Sequence, residues 1–498
     1  MSANAPIGKD LDKDVSSSVA AVSDDYGVGE VIPTDINVGS EVGTPSGGYQ
    51  PGTEAEKKLL RKIDLYLLPM LWVMCVLAYI DRNNIGNADA AGMSKDIGMS
   101  DTNYSMLITI FFIAYCSWEV PSNLILARVR PSYYVPGLMI VWGAIVCVMA
   151  EVKTYEHILV CRFFLGIIEA GFFPGVLYIF TCWYKRDEIG KRWCFFYTAL
   201  CVSGAASGLI SGAVISGLEG ANGRKGWRWL FLIEGIVTMV VAVVAWFVLP
   251  DYPHVKSRHF TEEQRQLAII RIKHDRQEDE ATSTKKLTAL ESVKAAVVDL
   301  RAYLFILLFM MQNGSTTVSY FIPTVLASMG YSGVQKQWMT VPIWATGIVF
   351  LLIFPTLSDR TGNRQWFIVG GLSTAFISSV VCVSQQHNVV RYVFLCFYIA
   401  GLYTTLPLIL NWASETMNKP AEKRAVIIAM VNCVGSISSI YGGYLWPSAD
   451  APKYTKGFAT VSTFIGIGVI LAIILPFLIR LLPKTSTKAE REIAALEE

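Results

Sequence analysis

The stretch Cys161–Gly175, which reads CRFFLGIIEAGFFPG, places one arginine and one carboxylate inside an apolar segment about as long as a bilayer is thick. Arg162 and Glu169 are seven residues apart, which in a helix is about two turns and roughly 10 Å along one face. A charge at that depth is costly unless it faces protein or a water-filled cavity. The pair is therefore a candidate functional site, and the rest of the chain must position it.

The composition is that of a polytopic membrane protein. Of the 498 residues, 53% are hydrophobic and 16% are charged, and the mean hydropathy is +0.43, a combination that soluble chains of this length do not normally show. The net charge of +2 excludes a strongly basic nucleic-acid binder. The ten cysteines form no CxxC pair, and the five histidines do not converge with carboxylates or cysteines. We therefore expect no nucleic-acid partner, no metal, no cofactor and no enzymatic activity.

Apolar segments recur along the chain, each close to the length that a helix needs to cross a membrane. Six precede a polar central stretch: Leu65–Asn84, Tyr104–Leu126, Tyr133–Ala150, Ile158–Tyr184, Trp193–Leu218 and Trp229–Leu249. Six follow it: Tyr303–Ala327, Trp338–Leu357, Trp366–Ser384, Val393–Trp412, Ala425–Trp446 and Phe458–Leu482. We predict an all-α membrane protein with 12 transmembrane helices in two six-helix bundles, 56–250 and 302–483.

The remaining segments are polar. Residues 1–55 contain no apolar run long enough to pack, so we predict a disordered tail without a cleavable signal peptide. The central loop, 251–301, includes Thr261–Asp275, whose capping-box start and amphipathic spacing predict a surface helix. A charged tail, 484–498, closes the chain.

Loop charges orient the chain, because Lys and Arg near the ends of spans are retained on the cytoplasmic side. Basic residues cluster at 57–62, 128–130, 185–192, 360–364, 419–424 and 480–484, and in the central loop, all on one predicted side. Arg224, Lys225 and Arg228 form an exception on the opposite side. Both termini are predicted to be cytoplasmic, with the plasma membrane as the expected location.

Ser358–Arg364, which reads SDRTGNR, lies in a tight loop between the eighth and ninth spans. A D-R-x-G-x-R loop between the second and third helices of a six-helix repeat resembles the signature of the major facilitator superfamily. The resemblance implies a charge latch formed by Asp359, Arg360 and Arg364, which holds one conformation closed on the cytoplasmic side. The corresponding first-half segment, Leu126–Pro131, lacks the aspartate, so a symmetric latch is not expected.

Further motifs resemble a narrower family, the anion:cation symporters, and in particular its fungal allantoate-permease-like branch. They are Tyr79–Ile85, Glu119–Asn123, Arg162–Gly166 with Glu169–Gly171, Gly226–Phe231 with Glu234–Gly235, Leu249–Pro253, Lys423–Ala425 and Ala451–Tyr454. The resemblance extends from Lys57 to Leu482. It implies the major facilitator fold and the transport of a small organic anion, and it does not choose the substrate.

Carried over residue by residue, the resemblance assigns proton coupling to Asp81 and Glu169, and it assigns anion binding, or pairing with those acids, to Arg82 and Arg162. The residue types agree, because burial favours a protonated carboxylate whereas a nearby arginine favours the ionised form. A carboxylate that gains and loses an arginine partner therefore releases and binds a proton. We expect Asp81 to end the first span on its outer side, where Arg162 begins the fourth span. The alternative is two salt bridges that only hold helices together.

Arginine suits a carboxylate substrate, because its planar fork matches both carboxylate oxygens. Tyr79 and Tyr115 are candidates for the N-terminal side of the site, and core packing is the alternative for each. The membrane-depth polar residues of the second half carry no charge; they are Gln312, Asn313, Tyr320, Asn411 and Asn432. Asn432 is the preferred substrate contact there, because an amide both donates and accepts. Glu119 and Glu234 are interpreted as structural.

These observations predict proton-coupled symport that takes up a small organic carboxylate, such as nicotinate, pantothenate or allantoate, by alternating access. We expect a monomer in membrane lipid with the proton as coupling ion. One alternative is an exporter of an anionic secondary metabolite. The fifth span, around Gly204–Gly212, lacks the Gly-Pro typical of drug exporters in this superfamily, which argues against export. Another alternative is a non-transporting nutrient sensor, for which the tail and central loop are too small.

Overall fold

The computed structural model describes residues 51–126, 128–256, 258–280, 289–385, 387–417 and 421–482. Every regular element in these residues is a helix. The predicted C-terminal tail, 484–498, lies outside them, as does the predicted N-terminal tail up to residue 50. Glu54 already belongs to the first helix, so the helical chain begins slightly earlier than predicted.

Nine α-helices lie within the described residues up to 250, and eight of them provide the six spans of the N-terminal bundle. The nine are α1 (Glu54–Tyr66), α2 (Leu68–Ala90), α3 (Met93–Ile97), α4 (Asp101–Leu126), α5 (Pro131–Met149), α6 (Tyr155–Glu169), α7 (Phe172–Trp183), α8 (Arg186–Leu218) and α9 (Gly226–Val248). Helices α1 and α2 together form the first span, and α6 and α7 form the fourth. The other long helices each form one span.

The central loop and the C-terminal bundle follow. Their helices are α10 (Glu262–Glu280), α11 (Ala289–Val298), α12 (Leu300–Ser315), α13 (Ile322–Ser328), α14 (Gln335–Trp338), α15 (Thr340–Thr361), α16 (Arg364–Ser384), α17 (Asn388–Thr416), α18 (Ala421–Ser436), α19 (Ser438–Gly442) and α20 (Thr455–Leu481). In the described part of the chain, eleven helices are long and apolar enough to cross a membrane.

The seventh predicted span, Tyr303–Ala327, is the one of the twelve that contains no continuous helical stretch long enough to cross a membrane. It consists of α12, a 3-10 helix at Thr316–Phe321, and α13. Pro323 lies in the first turn of α13 and supplies no backbone N–H, which favours a helix start at this point. The residues of the 3-10 segment from Thr317 onwards are buried in protein, the setting in which irregular backbone is tolerated at membrane depth.

Contacts between the two bundles include a close approach of α8 to α15 and its preceding turn. The small-residue face predicted around Gly204–Gly212 forms this contact. A Cβ at Gly204 would lie 2.2 Å from the ring of Trp344, and one at Gly208 would lie 1.9 Å from Oγ1 of Thr340. Glycine therefore permits a backbone separation that any side chain would prevent.

The start of α4, on the predicted outer side, also contacts the C-terminal bundle. The Tyr104 hydroxyl donates to the carbonyl of Tyr320 at 3.1 Å, and the Ser105 hydroxyl donates to the carbonyl of Gly443 at 2.9 Å. One turn further, Thr109 donates to the carbonyl of Ile440 at 2.9 Å. These bonds join the bundles between the predicted outer side and the membrane centre.

The central loop is attached to both bundles by buried charges. Thr261 and Gln264 form the predicted capping box at the start of α10. Arg271 of that helix is fully buried and pairs with Glu188 of α8 and Glu56 of α1, so the helix packs under the N-terminal bundle.

A second buried cluster lies where the loop meets the C-terminal bundle. Asp299 accepts from Arg301 at 2.7 Å and from Lys423 of α18 at 2.7 Å. Burial raises the pKa of Asp299, but the hydrogen bonds from Arg301 and Lys423 outweigh it and hold that pKa below its ordinary value.

Candidate functional site

Helix α2 carries Asp81 and Arg82 in its interior. The prediction that Asp81 ends the first span was wrong, because the helix continues for nine residues to Ala90. The polar residues that suggested an end are satisfied inside the bundle: Asn87 donates to the Ser207 hydroxyl at 2.7 Å, and that hydroxyl donates to Asn84 at 3.0 Å. Buried polar partners therefore allow the helix to continue.

Arg82 forms an ion pair with Glu169 across the N-terminal bundle. Its Nη2 and Nε donate to the same carboxylate oxygen, Oε2, at 2.9 and 3.2 Å. The two residues are 8% and 1% exposed. The other oxygen of Glu169, Oε1, is buried without a hydrogen-bond partner among the described residues. This pair unites the first and fourth spans.

Three aromatic rings surround the Arg82 guanidinium. The ring centroid of Tyr79 lies 4.7 Å from it, that of Tyr115 lies 5.0 Å away and that of Phe111 lies 5.1 Å away. Each such contact contributes about 0.5–2 kcal/mol and restricts the orientation of the guanidinium. The predicted residues Tyr79 and Tyr115 are therefore direct neighbours of the predicted anion-binding arginine.

Asp81 lies on a different face of α2 from Arg82. Its Oδ2 accepts from the hydroxyl of Thr238 in α9 at 3.0 Å, and its Oδ1 has no described partner. Glu234, one turn before Thr238, is buried, and neither of its oxygens has a described hydrogen-bond partner. The expected pairing of Asp81 with Arg162 is not formed, because consecutive residues of a helix point about 100° apart and Asp81 faces α9.

Arg162 lies about two turns inside α6. The prediction that it begins the fourth span was therefore wrong. It is 2% exposed, and its guanidinium lies 5.9 Å from the ring centroid of Phe111. Its Nε and Nη2 have no hydrogen-bond partner among the described residues. Glu169 lies within electrostatic range of it. Arg162 is thus a buried cation placed near the Arg82–Glu169 pair.

A cavity between the bundles lies beside this pair. It contains about 690 Å³ of empty space, including space open to solvent. Its lining consists of Tyr79, Arg82, Phe112, Tyr115, Phe173, Tyr197, Leu200, Phe309, Asn313, Thr316, Tyr320, Tyr403, Leu406, Asn432, Ser436 and Ser439. Arg82 is the single charged residue of this lining. Asp81, Arg162 and Glu169 lie behind it.

The side of the cavity formed by the C-terminal bundle combines polar residues with Phe309 and Leu406, and its described lining includes no charged residue. Asn432, Asn313 and Tyr320 line it, whereas Gln312 is buried elsewhere and donates to the carbonyl of Leu402 at 2.9 Å. The sequence reading missed the aromatic residues Phe112, Phe173, Tyr197 and Tyr403, because aromatic residues of the core and of a cavity look alike in sequence. Glu119, interpreted from the sequence as structural, accepts a hydrogen bond from Asn432.

Two residues of the predicted latch, Asp359 and Arg364, form ion pairs within the C-terminal bundle. Arg364 pairs with Asp359 at 2.8 Å and with Glu415 of α17 at 2.6 Å. Arg360 is exposed. In the residues that the structure describes, no cluster of three or more His, Cys, Asp or Glu side chains is arranged to hold a metal ion.

Residues 71–443, most of both bundles, match the family model of the Major Facilitator Superfamily. The chain belongs to this superfamily. The relatives compared with this chain are named as transporters. The predicted fold class is confirmed, and the chain is a multi-pass membrane transporter.

Individual relatives support the same assignment. The MFS-type transporter cnsO of Penicillium expansum is 33% identical over 416 residues, which cover 81% of this chain and 79% of that protein. A protein of Agrobacterium vitis, provisionally named a tartrate transporter, is 29% identical over 85% of this chain and 92% of its own length. A bacterial homologue of the human lysosomal transporter Spinster superposes with a TM-score of 0.67 at 15% identity, covering 85% of this chain and 98% of that one. The last similarity concerns the fold.

Proposed function

We propose that this superfamily member takes up a small organic carboxylate together with protons. The observation that carries the proposal is the position of Arg82, the single charged residue of the cavity lining, directly bonded to a buried carboxylate behind it. A guanidinium at the wall of a cavity attracts an anion, and its fork geometry favours carboxylates. The motifs of the anion:cation symporter family, allantoate-permease-like branch, support the same substrate class.

Arg82 has capacity for a second carboxylate. Two of its nitrogens bond one oxygen of Glu169, and no hydrogen bond joins the third nitrogen, Nη1, to a described residue. The aromatic rings of Tyr79 and Tyr115 hold the guanidinium and also line the cavity. A bound carboxylate would therefore meet a pre-oriented donor group, which reduces the entropic cost of binding.

Competition for Arg82 couples the substrate to a proton. When the substrate carboxylate takes hydrogen bonds from the guanidinium, Glu169 loses part of its charge compensation in a buried site and binds a proton. When the substrate leaves, Arg82 returns to Glu169 and the proton is released. Asp81, bonded to Thr238, is the second proposed proton carrier, and Arg162 supplies a nearby positive charge that stabilises either acid.

The energetics suit uptake against a gradient. A one-unit pH difference supplies about 1.4 kcal/mol per proton. One proton carried with a monoanion is electroneutral, whereas a second proton adds about 2.3 kcal/mol per 100 mV of membrane potential. Coupling through Glu169 alone therefore differs from coupling through both acids in its response to voltage.

The substrate class is also supported by one relative. The Agrobacterium vitis protein is provisionally named for tartrate, a hydroxylated dicarboxylate. We further propose that both termini and the docked helix α10 are cytoplasmic, in the plasma membrane, because the basic loops lie on that side. A monomer suffices for this mechanism, since the cavity lies between the two bundles of one chain.

Uptake into proteoliposomes tests the proposal. A panel of radiolabelled monocarboxylates and dicarboxylates should include at least one compound whose uptake rises with an inward proton gradient and collapses with a protonophore. Glu169→Gln should abolish that dependence on the gradient while the protein folds normally. Glu156→Gln, an exposed glutamate on the same helix, is the matched control. Gradient-driven uptake by Glu169→Gln at the wild-type rate would refute the coupling.

A further inference from the structure

We infer that the C-terminal side of the cavity selects anions that carry a hydrogen-bond donor at the end opposite their carboxylate, and that Glu119 sets this preference by orienting Asn432. The inference rests on the proposed function, since it assumes that the carboxylate end binds at Arg82. It assigns a positioning role to a glutamate outside the Arg82–Glu169 pair.

Glu119 and Asn432 join the two bundles at the edge of the cavity. Nδ2 of Asn432 in α18 donates to Oε1 of Glu119 in α4 at 3.0 Å. Glu119 is 5% exposed, whereas Asn432 is half-buried and lines the cavity. The helices approach closely here, since the thiol of Cys116 lies 3.9 Å from the carbonyl oxygen of Cys433, and the reverse distance is 4.0 Å.

The carboxylate determines which end of the amide remains free. Oε1 of Glu119 accepts from the NH₂ end of Asn432, so that end is not available to a ligand. The amide oxygen, Oδ1, then receives no hydrogen bond from a described residue. Because Asn432 lies on the cavity wall, the polar atom that remains for a ligand is an acceptor.

Asn313 is arranged in the same way by different partners. Its Nδ2 donates to the hydroxyls of Ser438 and Ser439 at 3.2 and 3.1 Å. Its amide oxygen is also left without a described donor. Two amides on one side of the cavity therefore have their donor ends used inside the protein and their acceptor ends free.

Two hydroxyls of the same wall also donate hydrogen bonds to backbone carbonyls. Thr316 donates to the carbonyl of Asn313 at 2.7 Å, and Ser436 donates to that of Asn432 at 2.7 Å. The hydroxyls of Ser439, Tyr320 and Tyr403, which also line this side, can rotate and act as donor or acceptor. Taken together, the wall opposite Arg82 is rich in acceptors, and it matches an amide, ureido or hydroxyl group of the ligand.

Ligands that lack such a donor should bind more weakly. An ester or ether at that end would face the two amide oxygens without donating a hydrogen bond to either. A site built around hydrogen bonds to a ligand rejects an analogue that lacks them far more strongly than an apolar pocket rejects a missing methylene. We expect discrimination of about tenfold or more for at least one matched pair of ligands, the one whose length fits the site.

Matched ligand pairs test the inference on the purified full chain in lipid nanodiscs. The mono-N-methyl amides of malonate, succinate and glutarate each have the same length and charge as the monomethyl ester of the same diacid. The amide carries an N–H donor where the ester carries an oxygen that can only accept. Binding can be followed by the intrinsic fluorescence of the tryptophans, with competition between the members of a pair as a second readout.

In the wild-type protein, the amide of at least one pair should bind about tenfold more tightly than its ester. Glu119→Gln should bring this ratio close to one, because a glutamine can donate to Asn432 as well as accept from it and no longer orients the amide. The matched control, Glu156→Gln, should keep the wild-type ratio. Asn313→Leu, which removes the second acceptor without altering Glu119, should also lower the ratio.

The outcomes separate this inference from the proposed function. If amide and ester bind equally well and Arg82→Gln abolishes both, carboxylate recognition stands and the donor preference is wrong. If no member of any pair binds, both are wrong. If Glu119→Gln folds, as judged by size-exclusion chromatography and circular dichroism, and retains the wild-type ratio, Glu119 does not orient Asn432.

Discussion

Glu169 accepts two hydrogen bonds from Arg82 through a single oxygen, at 2.9 and 3.2 Å, while its second oxygen is buried without a described partner. The ion pair therefore leaves part of both groups unused. A buried pair that is only partly satisfied is poorly suited to a purely structural role, because removing charges from water is costly unless every partner is supplied. The incomplete pairing is consistent with a pair that opens and closes during transport.

Replacing Arg82 by lysine should impair substrate binding although the charge is kept. A lysine ammonium cannot form the fork that bonds Glu169 and a second carboxylate together, and it packs differently against the rings of Tyr79 and Tyr115. We expect KM for uptake to rise about tenfold or more, the consequence of losing about 1.4 kcal/mol or more of binding free energy. Arg224→Lys, on the surface of the predicted outer side, is the control. An unchanged KM in Arg82→Lys would show that the fork is not used.

Replacing Gly204 by alanine should disturb the contact between the bundles. The added Cβ would lie 2.2 Å from the Trp344 ring, so the helices must separate or the indole must move. Overpacking of this kind typically costs about 1–3 kcal/mol, and a lower apparent Tm with slower uptake is expected. Gly217→Ala is the control on the same helix, because nothing lies within 4 Å of its added Cβ. Equal Tm values for the two variants would contradict the close contact.

Replacing Arg271 by alanine should release helix α10 from the N-terminal bundle. The fully buried guanidinium pairs with Glu188 and Glu56, and its loss leaves both carboxylates with fewer partners. Limited proteolysis should cut near α10 several times faster than in the wild-type protein. The exposed Lys273 on the same helix provides the control, as Lys273→Ala. A proteolysis rate equal to that of the control would mean that the ion pairs do not hold the helix.

The cluster around Asp299 should make stability depend on acid pH. Because Arg301 and Lys423 hold the pKa of Asp299 below its unfolded value of about 3.9, the contribution is fully present above that value and is lost as pH falls through the folded pKa. At neutral pH, Asp299→Asn should lower stability by on the order of 1–3 kcal/mol. Thermal unfolding followed from pH 7 to pH 3 should show a steeper loss for the wild-type protein than for Asp299→Asn. Parallel pH profiles would exclude this role for Asp299.

The number and order of the spans could be read from hydropathy, because a membrane helix must satisfy its backbone within itself and therefore requires a long apolar run. The exception was Tyr303–Ala327, whose apolar composition concealed a 3-10 segment, since irregular backbone is permitted where the surrounding protein buries it. The end of the first span was also misjudged at Asp81, because polar residues inside a bundle look like a helix boundary in sequence.

For the site, the sequence by itself determined which residues bear charge at membrane depth: Asp81, Arg82, Arg162 and Glu169 stood out because charge there is expensive. Only the tertiary structure decided which partner each of them contacts. Arg82 contacts both the cavity and Glu169, Asp81 accepts from Thr238, and Arg162 is buried behind the cavity wall. It also brought Glu119 to Asn432, which are 313 residues apart in the chain. The rotation of each helix about its axis depends on packing against its neighbours, and the length and polarity of a span do not contain that information.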